Sequence, residues 1–190
     1  GADEVARAAI QEDAHAIAIT SYQGGAVEMF THTKEILDEA GFGHIFLCGG
    51  GGGTILPWEI KKLRDEGIAR IYSPDDGREM GLTGMVGNAI EEAGKINLLE
   101  KSRFNSLSGA ISADDHGSVS KLLTMAENAD DSEFQAVLQR VRSVDADSGC
   151  PVVGLTGTGG AGKSSLTDEL MLRIQRDNPG AKVALLATDP

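Results

Sequence analysis

The sequence predicts an α/β protein: a parallel sheet with helices on both faces, a helical stretch, and then the opening strand–turn–helix–strand of a second α/β unit. Two observations carry this. Short apolar runs alternate with amphipathic segments through the first ninety-odd residues, the pattern of parallel βαβ units. Further on, Gly157-Thr158-Gly159-Gly160-Ala161-Gly162-Lys163-Ser164 fits the phosphate-binding loop G-x-x-x-x-G-K-[ST] between a predicted strand and a predicted helix.

In chain order, Ala2 to Asp13 carry Val5, Ala8, Ala9 and Glu12 at helical spacing. Ala16-Ile17-Ala18-Ile19 is a short strand, and Val27, Phe30, Lys34 and Leu37 mark one face of a helix ending near Gly41. Ile45-Phe46-Leu47-Cys48 is the next strand, followed by five glycines, Gly49 to Gly53. Pro57 opens a helix whose apolar side holds Ile60 and Leu63. Ile68 to Tyr72 is a third strand, and Pro74-Asp75-Asp76-Gly77 turns into a helix with Leu82, Val86 and Ile90 four apart. From about residue 94 to 150, Gly, Ser, Asp and Asn become frequent around two stripes at i, i+3, i+4, i+7: Val119, Leu122, Leu123, Ala126, and Phe134, Val137, Leu138, Val141. They predict a structured linker packing on a neighbouring domain. Pro151 to Thr156 and Val183 to Pro190 read as strands flanking the helix that begins at Ser165. The organisation expected is 1–94, 95–150 and 151–190. Both ends read as cut, one inside a helix and one at the end of a strand, so a fragment of a longer protein is expected.

Composition narrows the function. Hydrophobic residues at 41% and charged residues at 24% suit a globular chain. The net charge of −12, from 29 acidic against 17 basic residues, argues against general nucleic-acid binding, which needs a basic face. Cys48 and Cys150 stand far apart, with neither disulfide framework nor zinc spacing, which makes a reducing cytoplasm the default. No apolar run approaches the ~20 residues of a membrane span. Asp114-Asp115-His116 has metal-binding side chain types but reads as a solvated turn between helices.

Two places carry chemistry. In the phosphate-binding loop, backbone N–H groups and a helix N-terminus converge on an anion. Gly157, Gly159, Gly160, Ala161, Gly162, Lys163, Ser164 and Ser165 form the nucleotide site, Lys163 reaching the β/γ-phosphates as the catalytic cation and Ser164 binding Mg²⁺. In the first domain, three loops leave the carboxyl ends of the strands, where ligands of open parallel sheets bind: Thr20 to Gly25, Gly49 to Thr54 and Ser73 to Gly77. Five glycines between a strand and a helix suggest a large flat ligand lying against backbone, the alternative being a flexible turn. On the ligand reading, Val at Gly50 or Gly51 clashes with ligand and leaves the sheet intact.

The motifs Ile19-Thr20-Ser21-Tyr22-Gln23-Gly24-Gly25, Cys48-Gly49-Gly50 and Ile71-Tyr72-Ser73-Pro74 resemble the second half of the cobalamin-binding domain of adenosylcobalamin-dependent acyl-CoA mutases, with its D-x-H-x-x-G, S-x-L and G-G signature. S-x-L falls on Thr20-Ser21-Tyr22 and G-G on Gly49-Gly50. The order of cobalamin-like loops, helical linker and phosphate-binding loop is most similar to the branch in which an isobutyryl-CoA mutase is fused to a metallochaperone-type GTPase domain.

The resemblance implies a truncated flavodoxin-like (Rossmann-type) cobalamin domain. It also implies adenosylcobalamin held by Thr20, Ser21, Tyr22, Gly24, Gly49, Gly50, Gly51, Ser73 and Pro74, and GTP with Mg²⁺ on Ser164 and Asp189. The activity implied is isomerisation of isobutyryl-CoA to n-butyryl-CoA, with radical chemistry supplied by the cobalt–carbon bond and a GTPase that gates cofactor loading. A homodimer, an acyl-CoA substrate and an adenosyltransferase donor are implied as partners, with no nucleic acid or membrane. Ala26 stands where the family's S-x-L loop has His, and the cobalt-ligating D-x-H-x-x-G loop is expected upstream. Asp13-Ala14-His15-Ala16-Ile17-Ala18 comes close to that signature, but His15 precedes a strand rather than following one. Two other readings stay open: a cobalamin-carrier GTPase without a mutase barrel, and a receiver-like signalling fold. The latter would need acidic strand ends, where this chain has Gly, Thr and Ser.

Overall fold

The computed structural model describes residues 1–104, 107, 111–112, 114–128, 130, 132, 135–136, 138–139 and 150–187. The chain divides into two compact units, Gly1–Ala146 and Asp147–Pro190.

The first unit is built on a three-stranded parallel sheet in the order β1-β2-β3. Helix α1, Ala2–Gln11, buries only small residues, Ala2, Ala6 and Ala9, so it lies close to its neighbours. Strand β1, Ala16–Thr20, turns Ile17 and Ile19 inward by period-two alternation. Helix α2, Ala26–Glu39, packs Ala26, Phe30, Thr33 and Leu37 into the core, and Thr33 Oγ1 donates to the Met29 carbonyl at 2.7 Å, so its hydroxyl is buried with a partner. Strand β2, Phe46–Gly50, takes in the first two glycines of the run. Helix α3, Pro57–Asp65, starts at a proline, with Glu59 reaching back to the Leu56 N–H at 2.7 Å. Strand β3 is Arg70–Tyr72, shorter than the five residues predicted. Phe30, Leu37, Phe42, Leu47, Leu63 and Ile68 are almost wholly shut from solvent and form the centre of the core.

Pairing runs Ala16↔Phe46 through Thr20↔Gly50, and Cys48↔Arg70 through Gly50↔Tyr72. Thr20, Gly50 and Tyr72 therefore stand in one row, and the three following loops leave the sheet side by side.

Helix α4, Pro74–Ala93, is kinked at Gly81, whose φ of 66° is the left-handed conformation glycine tolerates. Its predicted apolar stripe faces outward: Leu82 is 73%, Val86 50% and Ile90 67% exposed. The side turned toward the sheet is instead set by Asn88, whose Oδ1 accepts from the Tyr72 hydroxyl at 2.9 Å. A 3₁₀ turn at Lys101–Phe104 leads toward helix α5, His116–Asn128. The predicted stripe on α5 is displaced by about one position. Ser120, Lys121 and Met125 are buried, while Leu123 is 63% exposed and Ala126 is also exposed. The rotation follows from Gly117 passing against Phe42 and Lys121 laying its ammonium 4.3 Å from the Phe42 ring centroid. In the second predicted stripe, Leu138 is half-buried, and Phe134, Val137 and Val141 lie outside the described residues.

The second unit contains the phosphate-binding turn and helix α6, Lys163–Asp177. Of the predicted flanking strands, 151–156 and 183–187 carry no sheet pairing, and 188–190 lie outside the described residues. Val152 is 95% and Leu186 89% exposed. A β-strand is defined by its hydrogen-bonded neighbour, and neither segment has one among the described residues, so apolar runs of strand composition stay unpaired.

Candidate functional site

The loops at the carboxyl ends of β1, β2 and β3 interlock through backbone and small side chains. Ser21 N–H donates to the Gly50 carbonyl at 3.0 Å, continuing the sheet one step beyond Thr20. Thr54 Oγ1 donates at 2.6 Å to the Gly51 carbonyl and lies 3.2 Å from that of Ser21, tying the first loop to the second. Ser21 Oγ and Gln23 N–H form a local turn. Gly25, with φ 89°, caps α2. Gly53 lies beneath Pro74, its would-be Cβ 3.4 Å from the proline ring, which links the second loop to the third.

The glycine run has an internal explanation. A Cβ on Gly49 would stand 1.8 Å from the Ile19 carbonyl oxygen, one on Gly50 2.8 Å from that of Tyr72, and one on Gly51 2.4 Å from that of Ser21. On Gly52, which has φ 56°, it would strike the Tyr22 ring at 2.6 Å. These glycines are demanded by strand-to-strand and loop-to-loop approach. The expectation that Val at Gly50 or Gly51 spares the fold is therefore corrected: the clash is with the protein's own backbone.

What these loops offer a ligand is Tyr22, 76% exposed with its ring against Gly52, and Gly24, which has open space above it. Thr20, at the last position of β1, is exposed as well. Ser73 and Pro74 are engaged in starting α4. Ser73 N–H and Oγ both donate to Asp76 Oδ2 at 2.7 Å, and Ser73 Oγ accepts from Asp76 N–H at 3.2 Å. Those bonds from Ser73, with the Arg70 guanidinium 2.6 Å away, hold the Asp76 carboxyl below the usual range. Burial pushes the Tyr72 hydroxyl up. Thr54 and the pair Arg70–Asp76 went unread in the sequence. S-x-x-D at Ser73–Asp76 was the available signal, a helix cap rather than a site.

Histidines sit elsewhere. His15 precedes β1, and its carbonyl accepts from Phe46 N–H at 2.9 Å at the amino edge of the sheet. His44 precedes β2, His32 lies within α2 and His116 opens α5. No cluster of three metal-binding side chains occurs among the described residues. Asp115 accepts from both Ser118 N–H and Oγ, at 3.1 and 2.6 Å, so the acidic turn caps α5.

In the second unit the loop wraps the Lys163 stem. Lys163 Nζ donates to the carbonyls of Gly157 at 2.8 Å and Thr158 at 3.1 Å, and Ala161 N–H donates to Thr158 at 3.2 Å. Gly160 and Gly162 take φ of 74° and 83°, and Gly162 is the N-cap of α6. Among the described residues, nothing lies within 4 Å of a would-be Cβ at Gly159, Gly160 or Gly162, so here, unlike at Gly49 to Gly52, the backbone is left bare. Ser164 and Ser165 are exposed on the first turn of α6, where the helix dipole favours an anion. Asp189 lies outside the described residues.

Residues 119–190 match the family model of the methylmalonyl Co-A mutase-associated GTPase MeaB. A parallel α/β unit followed by a segment that matches this GTPase family is thus the architecture of the chain. Nearly the whole chain is similar to a part of fused isobutyryl-CoA mutases. It is 42% identical to that of Geobacillus kaustophilus over 99% of its length, 43% to that of Cupriavidus metallidurans over 98%, and 39% to that of Nocardia farcinica over 98%. It spans only 18%, 17% and 17% of those proteins.

Proposed function

We propose that the chain is the part of an adenosylcobalamin-dependent acyl-CoA mutase in which a flavodoxin-like cobalamin-binding domain, residues 1–94, leads through a helical linker, 95–150, into a P-loop GTPase domain, 151–190. The single observation that carries this is the nearly end-to-end match to fused mutases, with a phosphate-binding loop in the segment that matches the GTPase family. In this reading the parent is an intramolecular transferase converting isobutyryl-CoA to n-butyryl-CoA. Its GTPase domain gates cofactor loading, and it works in the cytoplasm as a homodimer that accepts cofactor from an adenosyltransferase.

For GTP, the fit rests on open backbone at Gly159, Gly160 and Gly162 and on Lys163 at the helix start. Lys163 exchanges its two carbonyl partners for phosphate oxygens, and the Ser164 hydroxyl binds Mg²⁺. Asp189 is proposed as the second metal-side group on the resemblance alone. For cobalamin the fit is narrower. Tyr22, Gly24 and Thr20 supply an accessible surface, with Ser21, Gly49, Gly50, Gly51, Ser73 and Pro74 shaping it from behind. No histidine stands at these loops. The chain's contribution is thus a wall for the ligand rather than a bond to its metal. When bound, adenosylcobalamin supplies the radical chemistry of the rearrangement.

The test is titration with GTP and Mg²⁺ of the wild-type protein and Lys163→Ala. The variant should bind at least about a hundredfold more weakly, since it loses the cation nearest the phosphates. Equal affinity in the two proteins would overturn the nucleotide assignment.

A further inference from the structure

A buried charged cluster lies at the amino ends of β1 and β2, opposite the ligand loops. Asp13, between α1 and β1, is 2% exposed and takes φ 45°, a strained value for a non-glycine residue. Its carboxylate accepts from Arg103 Nη2, and Arg103 Nη1 donates to the Leu98 carbonyl. On α5, Lys121 is 8% exposed with its ammonium over Phe42. A Cβ at Gly117 would lie 2.9 Å from that same ring, so α5 is seated tightly here. The His44 ring centroid is 5.7 Å from that of Phe42, and its Nε2 is buried with no hydrogen-bond partner among the described residues. The charged and titratable groups facing His44 are Asp13 and His15 from the turn before β1, Arg103 from the 3₁₀ turn and Lys121 from α5. Asp13 thus meets Arg103, with Lys121 near by and Asp115 also acting on Lys121, and His44 stands beside them.

We propose that this cluster is a latch that holds the 3₁₀ turn at Lys101–Phe104 and α5 on the sheet unit, and that protonation of His44 opens it. The latch grips the helix in which the GTPase-family match begins, so its release frees that helix from the sheet unit. A third positive charge beside Arg103 and Lys121 is repelled by both, and the buried Nε2–H has no acceptor among the described residues. Moving α5 away re-exposes both to water.

The sign is fixed by burial, which, with Arg103 and Lys121, holds the His44 pKa below its ordinary 6.5 against the opposing pull of Asp13. Above that pH the ring is neutral whether the latch is open or shut. As pH falls through 6.5 the open form takes up the proton first. The closed form then loses ground by up to about tenfold per pH unit, until the ring in the closed form titrates too. None of this depends on which ligands the loops take.

Hydrogen exchange on the 190-residue protein tests it, with α5 rates divided by the intrinsic rate at each pH. From pH 7.5 to about 5.5, protection of α5 should fall, by up to about tenfold, relative to α2, and His44→Gln should abolish the fall. Unchanged α5 protection in the wild type, or a fall that persists in His44→Gln, overturns the latch. If that variant fails to fold, nuclear magnetic resonance titration of the wild-type imidazole decides. A His44 pKa at or above 6.5 overturns the proposal, and a lower one whose protonation also shifts α5 resonances sustains it.

Discussion

At Gly51 a side chain would stand 2.4 Å from the Ser21 carbonyl oxygen and 2.5 Å from Thr54 Oγ1. Gly51→Val should therefore lower stability by about 2 kcal/mol or more, as overpacking against a backbone that cannot yield does. Thermal unfolding monitored by circular dichroism reads this, and a variant as stable as wild type would show that the turn is loose. Glycines at 159 and 160 look alike in sequence, yet open space surrounds them, and what sets the two groups apart is the neighbouring chain. His15 makes the same point about position. Its place at the amino edge of β1 separates it from the Thr20 and Gly50 loops by the length of the strand, ~17 Å for about five residues. Cob(II)alamin mixed with the protein should show no nitrogen superhyperfine splitting that disappears in His15→Ala. Such a splitting in electron paramagnetic resonance would refute the placement.

Among the elements, α4 separates pattern from packing. Leu82, Val86 and Ile90 repeat at four-residue spacing, the period that predicts an inward face, yet they are exposed. Periodicity reports that a helix has an apolar side, not which way the kink at Gly81 and the Tyr72–Asn88 bond turn it. Serine at Val86 should change unfolding free energy by no more than about 0.5 kcal/mol. Leu63→Ala, at a fully buried site on α3, should cost about 2–5 kcal/mol. Chemical denaturation of the two variants checks the contrast, and comparable losses would mean that α4's outer face is covered. On α5 the buried stripe moved because a lysine can lie over an aromatic ring while its charge stays favourable. A hydrophobicity pattern assigns lysine to the surface and so misplaces the face.

For the whole molecule, the question is whether the nucleotide and cobalamin sites proposed above are coupled. Within the first unit, Leu122 packs against Phe104, Leu107 and Met125, a small cluster apart from the main core. It anchors the part of the chain that leads toward the second unit. If nucleotide and cobalamin sites are coupled through this stretch, replacing Leu122 and Leu138 with polar residues should change the factor by which nucleotide alters cobalamin affinity. The same change must appear in the effect of cobalamin on nucleotide affinity, because linkage is reciprocal. Titrating each ligand in the presence and absence of the other measures both, and identical factors in variant and wild type would reduce the stretch to a tether.

From the sequence alone, the alternation of strands and helices, the parallel sheet, the phosphate-binding turn and the start of α3 at Pro57 were legible, because each is encoded locally by periodicity, glycine, proline or a fixed motif spacing. The likeness to a fused mutase was legible too, through the order of its motifs. Tertiary structure decided what depends on the neighbour. Gly49 and Gly50 pair within β2, and Gly51 and Gly52 make room for Ser21 and Tyr22. Lys121 is buried, the stripe on α4 is outside, and Asp13 meets Arg103 ninety residues away. Residues 151–156 and 183–187 show the same limit in reverse. Their composition encodes strands, but a strand exists only where another chain segment accepts its hydrogen bonds, and no local pattern carries that information.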